Sequence, residues 1–234
     1  MFRTFFEGLV RALFPQRCIF CGGLGVGDCV FCSRCKLDCG KIINCRAIDF
    51  NYGDRYFDDC VAMFCYLPPI STAIRAFKFH GKHSHGVVLA QFICDIVQRA
   101  YANIQIDCLT FVPETSRKVR HAELLAKHVS KSLDIPLVCG LVKLQENQKQ
   151  HKLNLQNRMS NVKGVYAVNG QLIEGKRILL IDDVVTTGAT LNECSRVLKS
   201  SGAAAVLCAT VAATGLKPGH REAIPFRASV KPLP

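Results

Sequence analysis

Residues 178–190 read ILLIDDVVTTGAT, and this stretch decides the fold. Four consecutive apolar residues before Asp182 predict a buried parallel strand. Residues 189–201 carry apolar side chains at helical spacing, which predicts an amphipathic helix. A second apolar run at 206–211 predicts the next strand. Because strand, helix, strand units of this kind build parallel sheets, the chain is predicted to have an α/β fold.

The turn between that strand and that helix is suited to a phosphate group. Backbone N–H groups at a helix N-terminus lack partners within the helix and, with the helix dipole, favour an anion. Gly188 lets the backbone approach a phosphate closely, and two adjacent acids can accept hydrogen bonds from a sugar diol or hold a hydrated Mg²⁺. Ligands of open α/β sheets bind beyond the carboxyl ends of the strands. The predicted ligand-binding residues of this segment are Asp182, Asp183, Thr186, Thr187, Gly188, Ala189 and Thr190.

Three other interpretations compete for this segment. A Walker B strand also ends in paired acids, but the chain has no G-x-x-x-x-G-K-[ST] motif to complete an ATPase site. A response-regulator receiver begins with a similar strand and Asp pair, yet only about fifty residues follow Asp183, too few for its remaining units. A capped core helix without a ligand is the third, and it leaves two adjacent carboxylates unexplained.

The hydrophobic strand, Asp-Asp and Thr-Thr-Gly-x-Thr order resembles the thirteen-residue binding signature of the phosphoribosyltransferase family. Within that family the chain is similar to the ComF group, also called GntX-like, which joins an N-terminal zinc module to a phosphoribosyltransferase domain and is associated with DNA uptake in natural transformation. The likeness runs from about Cys18 to Ala213, and residues 73–79 and 161–166 also fit the group's patterns. It implies a type I phosphoribosyltransferase-like parallel sheet with helices on both faces, which binds 5-phosphoribosyl-1-pyrophosphate with Mg²⁺.

One segment departs from the ComF pattern. Relatives carry a basic run and Arg-Gly-Phe-Asn-Gln before a Leu-Leu-Ala helix, whereas residues 116–126 read SRKVRHAELLA. This segment follows a strand predicted at 106–112, where the family holds pyrophosphate, so the resemblance implies that Arg117 and Lys118 bind pyrophosphate. The loss of the Gly-Phe-Asn-Gln element therefore affects the expected catalysis more than the expected phosphate binding. The sequence leaves open whether the domain is a working glycosyl-transferring enzyme, and it does not identify the acceptor.

A cysteine-rich region lies near the N-terminus of the chain. Fourteen cysteines in a basic chain without an evident secretion signal favour thiol and metal chemistry over a disulfide scaffold, and with it a cytoplasmic location. Two C-x-x-C pairs separated by ten residues can bring four thiolates into a tetrahedral Zn²⁺ site. With all four positions filled, such a zinc is structural rather than catalytic. The predicted zinc ligands are Cys18, Cys21, Cys32 and Cys35.

Cys29, Cys39 and Cys45 leave the choice of ligands open, because Cys29 and Cys32 form another C-x-x-C pair. The pairing of Cys32 with Cys35 is favoured because residues 31–38 resemble the Leu-Cys-x-x-Cys stretch of ComF proteins. A redox or zinc-storage role for the cluster is the alternative from another class. Seven further cysteines lie in apolar segments and are predicted to be buried core thiols: Cys60, Cys65, Cys94, Cys108, Cys139, Cys194 and Cys208.

The chain is predicted to have three parts. Residues 1–50 hold an N-terminal helix and the zinc module, residues 51–214 form the phosphoribosyltransferase-like domain, and residues 215–234 form a basic, loosely ordered tail. Within the domain, helices are predicted at 87–100 and 122–133, with a mobile polar loop at 145–158. The apolar segment 1–14 is predicted to be an amphipathic helix that packs on the body, with peripheral membrane contact as the alternative. No transmembrane run of ~20 apolar residues occurs in the sequence.

The formal net charge of +12 favours anionic partners. Charge alone does not separate a phosphate ester from a nucleic acid. The first hypothesis is a protein of natural transformation that binds phosphoribosyl pyrophosphate or a nucleotide. The second is a non-catalytic module on the same fold that binds single-stranded DNA or recruits other competence proteins. A binding titration with each ligand separates the two hypotheses.

Overall fold

The computed structural model describes seven stretches of the chain: residues 17–24, 30–43, 54–79, 83–114, 120–144, 164–168 and 173–215. The helices in these stretches are α1 (Ser33–Lys41), α2 (Ile70–Phe79), α3 (His83–Ala100), α4 (His121–Leu133) and α5 (Ala189–Ser200). The strands are β1 (Asp59–Cys65), β2 (Cys108–Phe111), β3 (Leu141–Lys143), β4 (Tyr166–Val168), β5 (Arg177–Val185) and β6 (Ala205–Ala213).

A four-stranded parallel sheet forms the centre of the molecule, in the order β1-β6-β5-β2. A single parallel bridge between Leu109 and Leu137 extends its β2 edge, while β3 and β4 form a separate antiparallel pair. Strand β5 does not end before Asp182 as the sequence predicts, because Val184 and Val185 continue the pairing with β6. The shorter β2 pairs only as far as Ile181 of β5. Asp182 and Asp183 therefore lie beyond the paired part of β2.

Helices cover both faces of this sheet. Side chains alternate along β5, so that Leu179 and Ile181 join one apolar core with α2, α3 and α4. Ile178 and Leu180 point the other way and pack with α5 and the β3–β4 hairpin. The predicted α/β architecture, with its parallel sheet and helices on both faces, is confirmed.

The β3–β4 hairpin is tied to α5 by Glu193. Its carboxylate accepts a hydrogen bond from the Gly164 N–H at 2.7 Å and receives two bonds of 2.8 Å from the Arg196 guanidinium. Such bidentate pairing to a buried carboxylate fixes geometry as well as adding stability. Residues 145–163, which include the predicted polar loop at 145–158, connect the two strands and lie outside the described residues.

The other predictions about elements have mixed outcomes. The helices predicted at 87–100, 122–133 and 189–201 are confirmed as α3, α4 and α5. Six of the seven predicted core thiols are buried, but Cys139 is exposed, so that prediction is wrong. Cys139 follows the edge bridge at Leu137, where the chain leaves the sheet before β3 begins, and none of the described elements covers it. The N-terminal segment 1–14 and the tail from 216 onward lie outside the described residues. None of the helices in the described ranges has the length and apolar character needed to cross a bilayer.

Candidate functional site

The loop after β5 forms a small pocket at the N-terminus of α5. Its volume is about 30 Å³, room for roughly two water molecules. Gly188, the N-cap residue of α5, has a φ of 77°, a left-handed conformation that glycine adopts without steric cost. Six of the seven residues predicted in this segment line the pocket, and Asp183 does not. The lining residues are Asp182, Val184, Val185, Thr186, Thr187, Gly188, Ala189, Thr190 and Leu191.

Backbone donors converge on this pocket. The Thr187 hydroxyl accepts a 3.3 Å hydrogen bond from the Ala189 N–H. The N–H groups of Thr187, Gly188 and Thr190 have no acceptor among the described residues. Unpaired donors at a helix N-terminus attract an anion, and phosphate is the anion this arrangement commonly binds.

Asp182 and Asp183 point to opposite faces of the sheet, as the two-residue period of a strand requires. Asp182 lies on the α5 face, lines the pocket and accepts the Asp183 N–H at 2.8 Å. Asp183 lies on the other face, where its Oδ2 is 2.6 Å from the Nζ of Lys78 at the end of α2. The side chains of Asp183 and Lys78 are 4% and 31% exposed, so this ion pair is largely withdrawn from water.

The electrostatics of the two acids follow from their burial. Burial raises the pKa of Asp182 well above its ordinary value, and the negative charge of Asp183 adds to that effect. Burial also raises the pKa of Asp183, while the ammonium of Lys78 opposes the rise. Lys78 therefore favours the ionised form of Asp183 in a site that otherwise disfavours charge.

A second pair of titratable groups lies after β2. The Oε2 of Glu114 is 3.1 Å from His121 Nδ1, and its Oε1 accepts the Ala122 N–H at 3.1 Å in the first turn of α4. The charge of Glu114 contributes to the raised pKa of both Asp182 and Asp183, which places it in the same electrostatic cluster. The sequence alone indicates no role for Lys78, Glu114 or His121. The predicted pyrophosphate ligands Arg117 and Lys118 lie outside the described residues.

Replacing Asp182 by Asn is expected to stabilise the fold. The pKa of this carboxyl group is higher in the folded state than in the unfolded state, where it is near 4. Its contribution to the free energy of unfolding is therefore fully present below pH 4 and is lost as pH rises. The Asp182→Asn variant should therefore exceed the unsubstituted protein in free energy of unfolding by about 1 kcal/mol at pH 8, with the difference shrinking toward pH 4. Urea denaturation at both pH values measures this. Asp54→Asn, at an exposed carboxyl, is the control and should change stability by less than about 0.5 kcal/mol. A destabilised Asp182→Asn protein at pH 8 would contradict the raised pKa of Asp182.

Four thiols come together in the four-cysteine module, formed by residues 17–24 and 30–43. The sulfur atoms of Cys18, Cys21, Cys32 and Cys35 all lie within 4.8 Å of one another. The sulfurs of Cys21 and Cys32 are 3.7 Å apart, close to the ~3.8 Å edge of a tetrahedron with Zn–S bonds of about 2.3 Å. The donor set and its spacing therefore fit a tetrahedral thiolate-bound metal.

Cys29, Cys39 and Cys45 are the alternative ligands that the sequence leaves open. Cys39 lies on the buried side of α1 and does not belong to the four-thiol group. Cys29 and Cys45 lie outside the described residues. A hydrogen bond from the Cys35 backbone N–H lowers the pKa of Cys32 to about 7, which favours a thiolate at that position. Burial raises the pKa of the Cys35 thiol in the absence of a metal.

The four-cysteine module shares its core with the sheet. Phe20 and Phe31 are buried with ring centroids 5.9 Å apart, and they belong to the same apolar cluster as Phe64 of β1. A backbone hydrogen bond also joins the module to β1, since the Cys65 N–H donates to the Ile42 carbonyl at 2.8 Å. Replacement of one of the four cysteines should therefore also disturb β1 at the edge of the sheet.

Several known proteins are similar to this chain. A model of the phosphoribosyl transferase domain matches residues 119–230, which include β5, its loop and α5. Competence protein F of Haemophilus influenzae is 29% identical over 213 residues, covering 81% of this chain and 93% of that protein. DNA utilization protein YhgH of Escherichia coli K12 is 28% identical over 159 residues, covering 62% of this chain and 70% of that protein. The purine phosphoribosyltransferase of Pyrococcus horikoshii is 22% identical, with a TM-score of 0.37 over 56% of this chain and 78% of that one.

The part of the chain that holds β5, its loop and α5 thus matches the phosphoribosyl transferase domain. The predicted phosphoribosyltransferase-like fold with an N-terminal cysteine module is thereby confirmed. The chain is a homologue of competence protein F.

Proposed function

We propose that this chain acts in DNA uptake and use, through a domain that binds 5-phosphoribosyl-1-pyrophosphate with Mg²⁺. One observation carries the proposal: unpaired backbone N–H groups at the N-terminus of α5 share a pocket with the Asp182 carboxylate. The donors suit the 5′-phosphate and the carboxylate suits the ribose hydroxyls, so one pocket offers both ends of a sugar phosphate their preferred partners. The printed names of the similar proteins, a competence protein and a DNA utilization protein, support the cellular role.

Each group in the site has a role in this proposal. Residues 186–190 hold the 5′-phosphate, and Asp182 and Asp183 bind the ribose hydroxyls and the water shell of Mg²⁺. Arg117 and Lys118 bind the pyrophosphate group. A bound Mg²⁺ would supply positive charge next to the pyrophosphate group, and the protein's own contribution is to position the reactants. A cytoplasmic location, favoured by the many free thiols, belongs to the same proposal.

Isothermal titration calorimetry tests the binding proposal. The unsubstituted protein should release or absorb heat on titration with phosphoribosyl pyrophosphate and Mg²⁺. Gly188→Ala should weaken binding at least tenfold, because a side chain is strained at a φ of 77° and crowds the phosphate. Gly175→Ala is the matched control, since Gly175 has a similar φ of 68° but does not line the pocket. No heat of binding at millimolar ligand would overturn the proposal.

The four-cysteine module is proposed to hold one structural zinc ion through Cys18, Cys21, Cys32 and Cys35. Four thiolates fill the tetrahedron, so the ion has no open position for a substrate. Its function is then to fold a module whose own apolar core is small.

Binding of single-stranded DNA is a second candidate function, which the outer face of α1 favours. Arg34, Lys36 and Leu37 are exposed there, and Leu37 is 69% exposed. The acid on this helix, Asp38, is already paired with Lys41 at 2.9 Å. A cationic face with an apolar side chain suits a phosphate backbone with unstacked bases.

A fluorescence titration with a labelled oligonucleotide at low salt tests this second function. Arg34→Glu with Lys36→Glu should weaken binding about tenfold or more and flatten its salt dependence. Lys131→Glu, on the exposed surface of α4, is the control and should have a smaller effect. No affinity at low salt would remove this function without bearing on phosphoribosyl pyrophosphate.

A further inference from the structure

The crevice between β2 and β5 is the point where the helices of this sheet change sides. After β5 the chain enters α5 on one face, and after β2 it enters α4 on the other. Ligands of open α/β sheets bind at such a point, beyond the carboxyl ends of the two strands. The phosphate loop lies on the β5 side of the crevice. On the β2 side lie Glu114 and His121, to which the proposed function gives no part.

Glu114 fixes the orientation and the tautomer of His121. A carboxylate only accepts hydrogen bonds, so the neutral imidazole must carry its hydrogen on Nδ1, 3.1 Å from Glu114 Oε2. The other oxygen of Glu114 is held by the Ala122 N–H, which keeps the carboxylate from turning. The Phe77 ring packs edge-on against the imidazole, with centroids 5.1 Å apart. Nε2 is left with a free lone pair, and no described residue hydrogen-bonds to it.

The Glu114–His121 pair contacts α2, the helix that also carries the ion-pair partner of Asp183. Glu114 acts electrostatically on Asp182, Asp183 and Lys78. Phe77, which contacts the imidazole, is the neighbour of Lys78 on α2, and Lys78 contacts Asp183. A carboxylate that orients an imidazole, with the second ring nitrogen available, is the arrangement of a general base.

We propose that His121 is the general base of a phosphoribosyl transfer reaction and that Glu114 is its positioning residue. This inference rests on the proposed binding of phosphoribosyl pyrophosphate. A nitrogen or oxygen of the acceptor attacks C1 of the ribose, and the bond between C1 and the pyrophosphate oxygen breaks with its electron pair leaving on pyrophosphate. The proton of the attacking atom passes to His121 Nε2. The acceptor is therefore a neutral compound that carries an N–H or O–H group.

Two measurements on the full chain test this assignment. The first is pyrophosphate release from phosphoribosyl pyrophosphate and Mg²⁺ with adenine, guanine, uracil or water as acceptor. The second is calorimetric binding of phosphoribosyl pyrophosphate. His121→Gln should lower the rate about 100-fold or more with binding changed less than threefold, because a general base contributes about 10²–10⁴-fold to the rate. Glu114→Gln should lower the rate at least tenfold, since one amide oxygen cannot accept both the Ala122 N–H and the imidazole N–H.

His128→Gln is the matched control, two turns further along the same helix and partly buried. It should leave both rate and binding near those of the unsubstituted protein. A His121→Gln protein with an unchanged rate would overturn the assignment and leave the binding proposal intact. Binding without pyrophosphate release from the unsubstituted protein with any of these acceptors would overturn it as well. Absence of binding would instead show the failure of the proposed function itself.

Discussion

Replacement of Cys18 by Ser is expected to abolish the proposed zinc binding and to lower the free energy of unfolding by about 4 kcal/mol or more. Structural zinc contributes about 10–16 kcal/mol of apparent binding free energy in isolated finger peptides. Cys18 is buried within the four-thiol group, and the module's Phe20 and Phe31 pack in the same core as β1. Loss of the ion should therefore loosen the sheet edge as well as the module. Metal analysis of the purified protein and urea denaturation measure the two effects.

Three cysteine variants serve as controls for this prediction. Cys39→Ala removes a buried thiol outside the tetrad, and Cys139→Ser removes an exposed one. Cys29→Ser removes the rival ligand of the second C-x-x-C pair. All three should retain one zinc per chain, although Cys39→Ala should lose some stability through its cavity. Full zinc in Cys18→Ser, or zinc loss in Cys29→Ser, would contradict the ligand set. A metal that exchanges rapidly in the unsubstituted protein would favour zinc storage instead.

Replacement of Lys78 by Met is expected to lower the free energy of unfolding by about 3 kcal/mol at pH 8. The variant leaves Asp183, which is 4% exposed, without its counter-ion, and removal of one member of a buried pair costs about 3–5 kcal/mol. The lower end of that range applies because Lys78 is 31% exposed. Affinity for phosphoribosyl pyrophosphate should also fall about tenfold or more, since Asp183 then exists partly in its protonated form. Urea denaturation and calorimetry measure the two effects.

The pH dependence separates this electrostatic account from simple loss of packing. Without Lys78 the folded-state pKa of Asp183 rises further, so the added cost is present at high pH and disappears as pH falls toward the unfolded value near 4. The difference from the unsubstituted protein should therefore shrink on acidification. Lys127→Met is the control, because its ammonium pairs with Glu123 at 2.8 Å while being 57% exposed. That exposed pair should contribute less than about 1 kcal/mol. A Lys78→Met defect of equal size at pH 4 and pH 8 would contradict the account.

The turn between β5 and α5 could be predicted from sequence because its determinants are local. The apolar run of β5, the helical spacing in α5 and Gly188 at the turn between them occupy one continuous stretch. The separation of Asp182 and Asp183 onto opposite faces could not be predicted with the strand expected to end before them. Pairing of β5 with β6 continues the strand to Val185, and the two-residue period then applies to the acids as well.

Contacts between distant segments could not be predicted in the same way. Lys78 and Asp183 lie about a hundred residues apart, and only the packing of α2 against the sheet brings them together. The Glu114–His121 pair depends on where α4 begins relative to β2, which periodicity does not specify. The burial predicted for Cys139 was wrong because local apolar character cannot indicate where an edge segment leaves the sheet. Tertiary topology decides these positions, whereas local pattern decides the loop.

A crystal structure of the protein with phosphoribosyl pyrophosphate and Mg²⁺ tests the central claim most directly. The 5′-phosphate should lie on the backbone N–H groups of Thr187, Gly188 and Thr190, with the ribose hydroxyls against Asp182 and Asp183 of β5. A phosphoribosyl pyrophosphate molecule bound elsewhere, or an empty loop at saturating ligand, would contradict it.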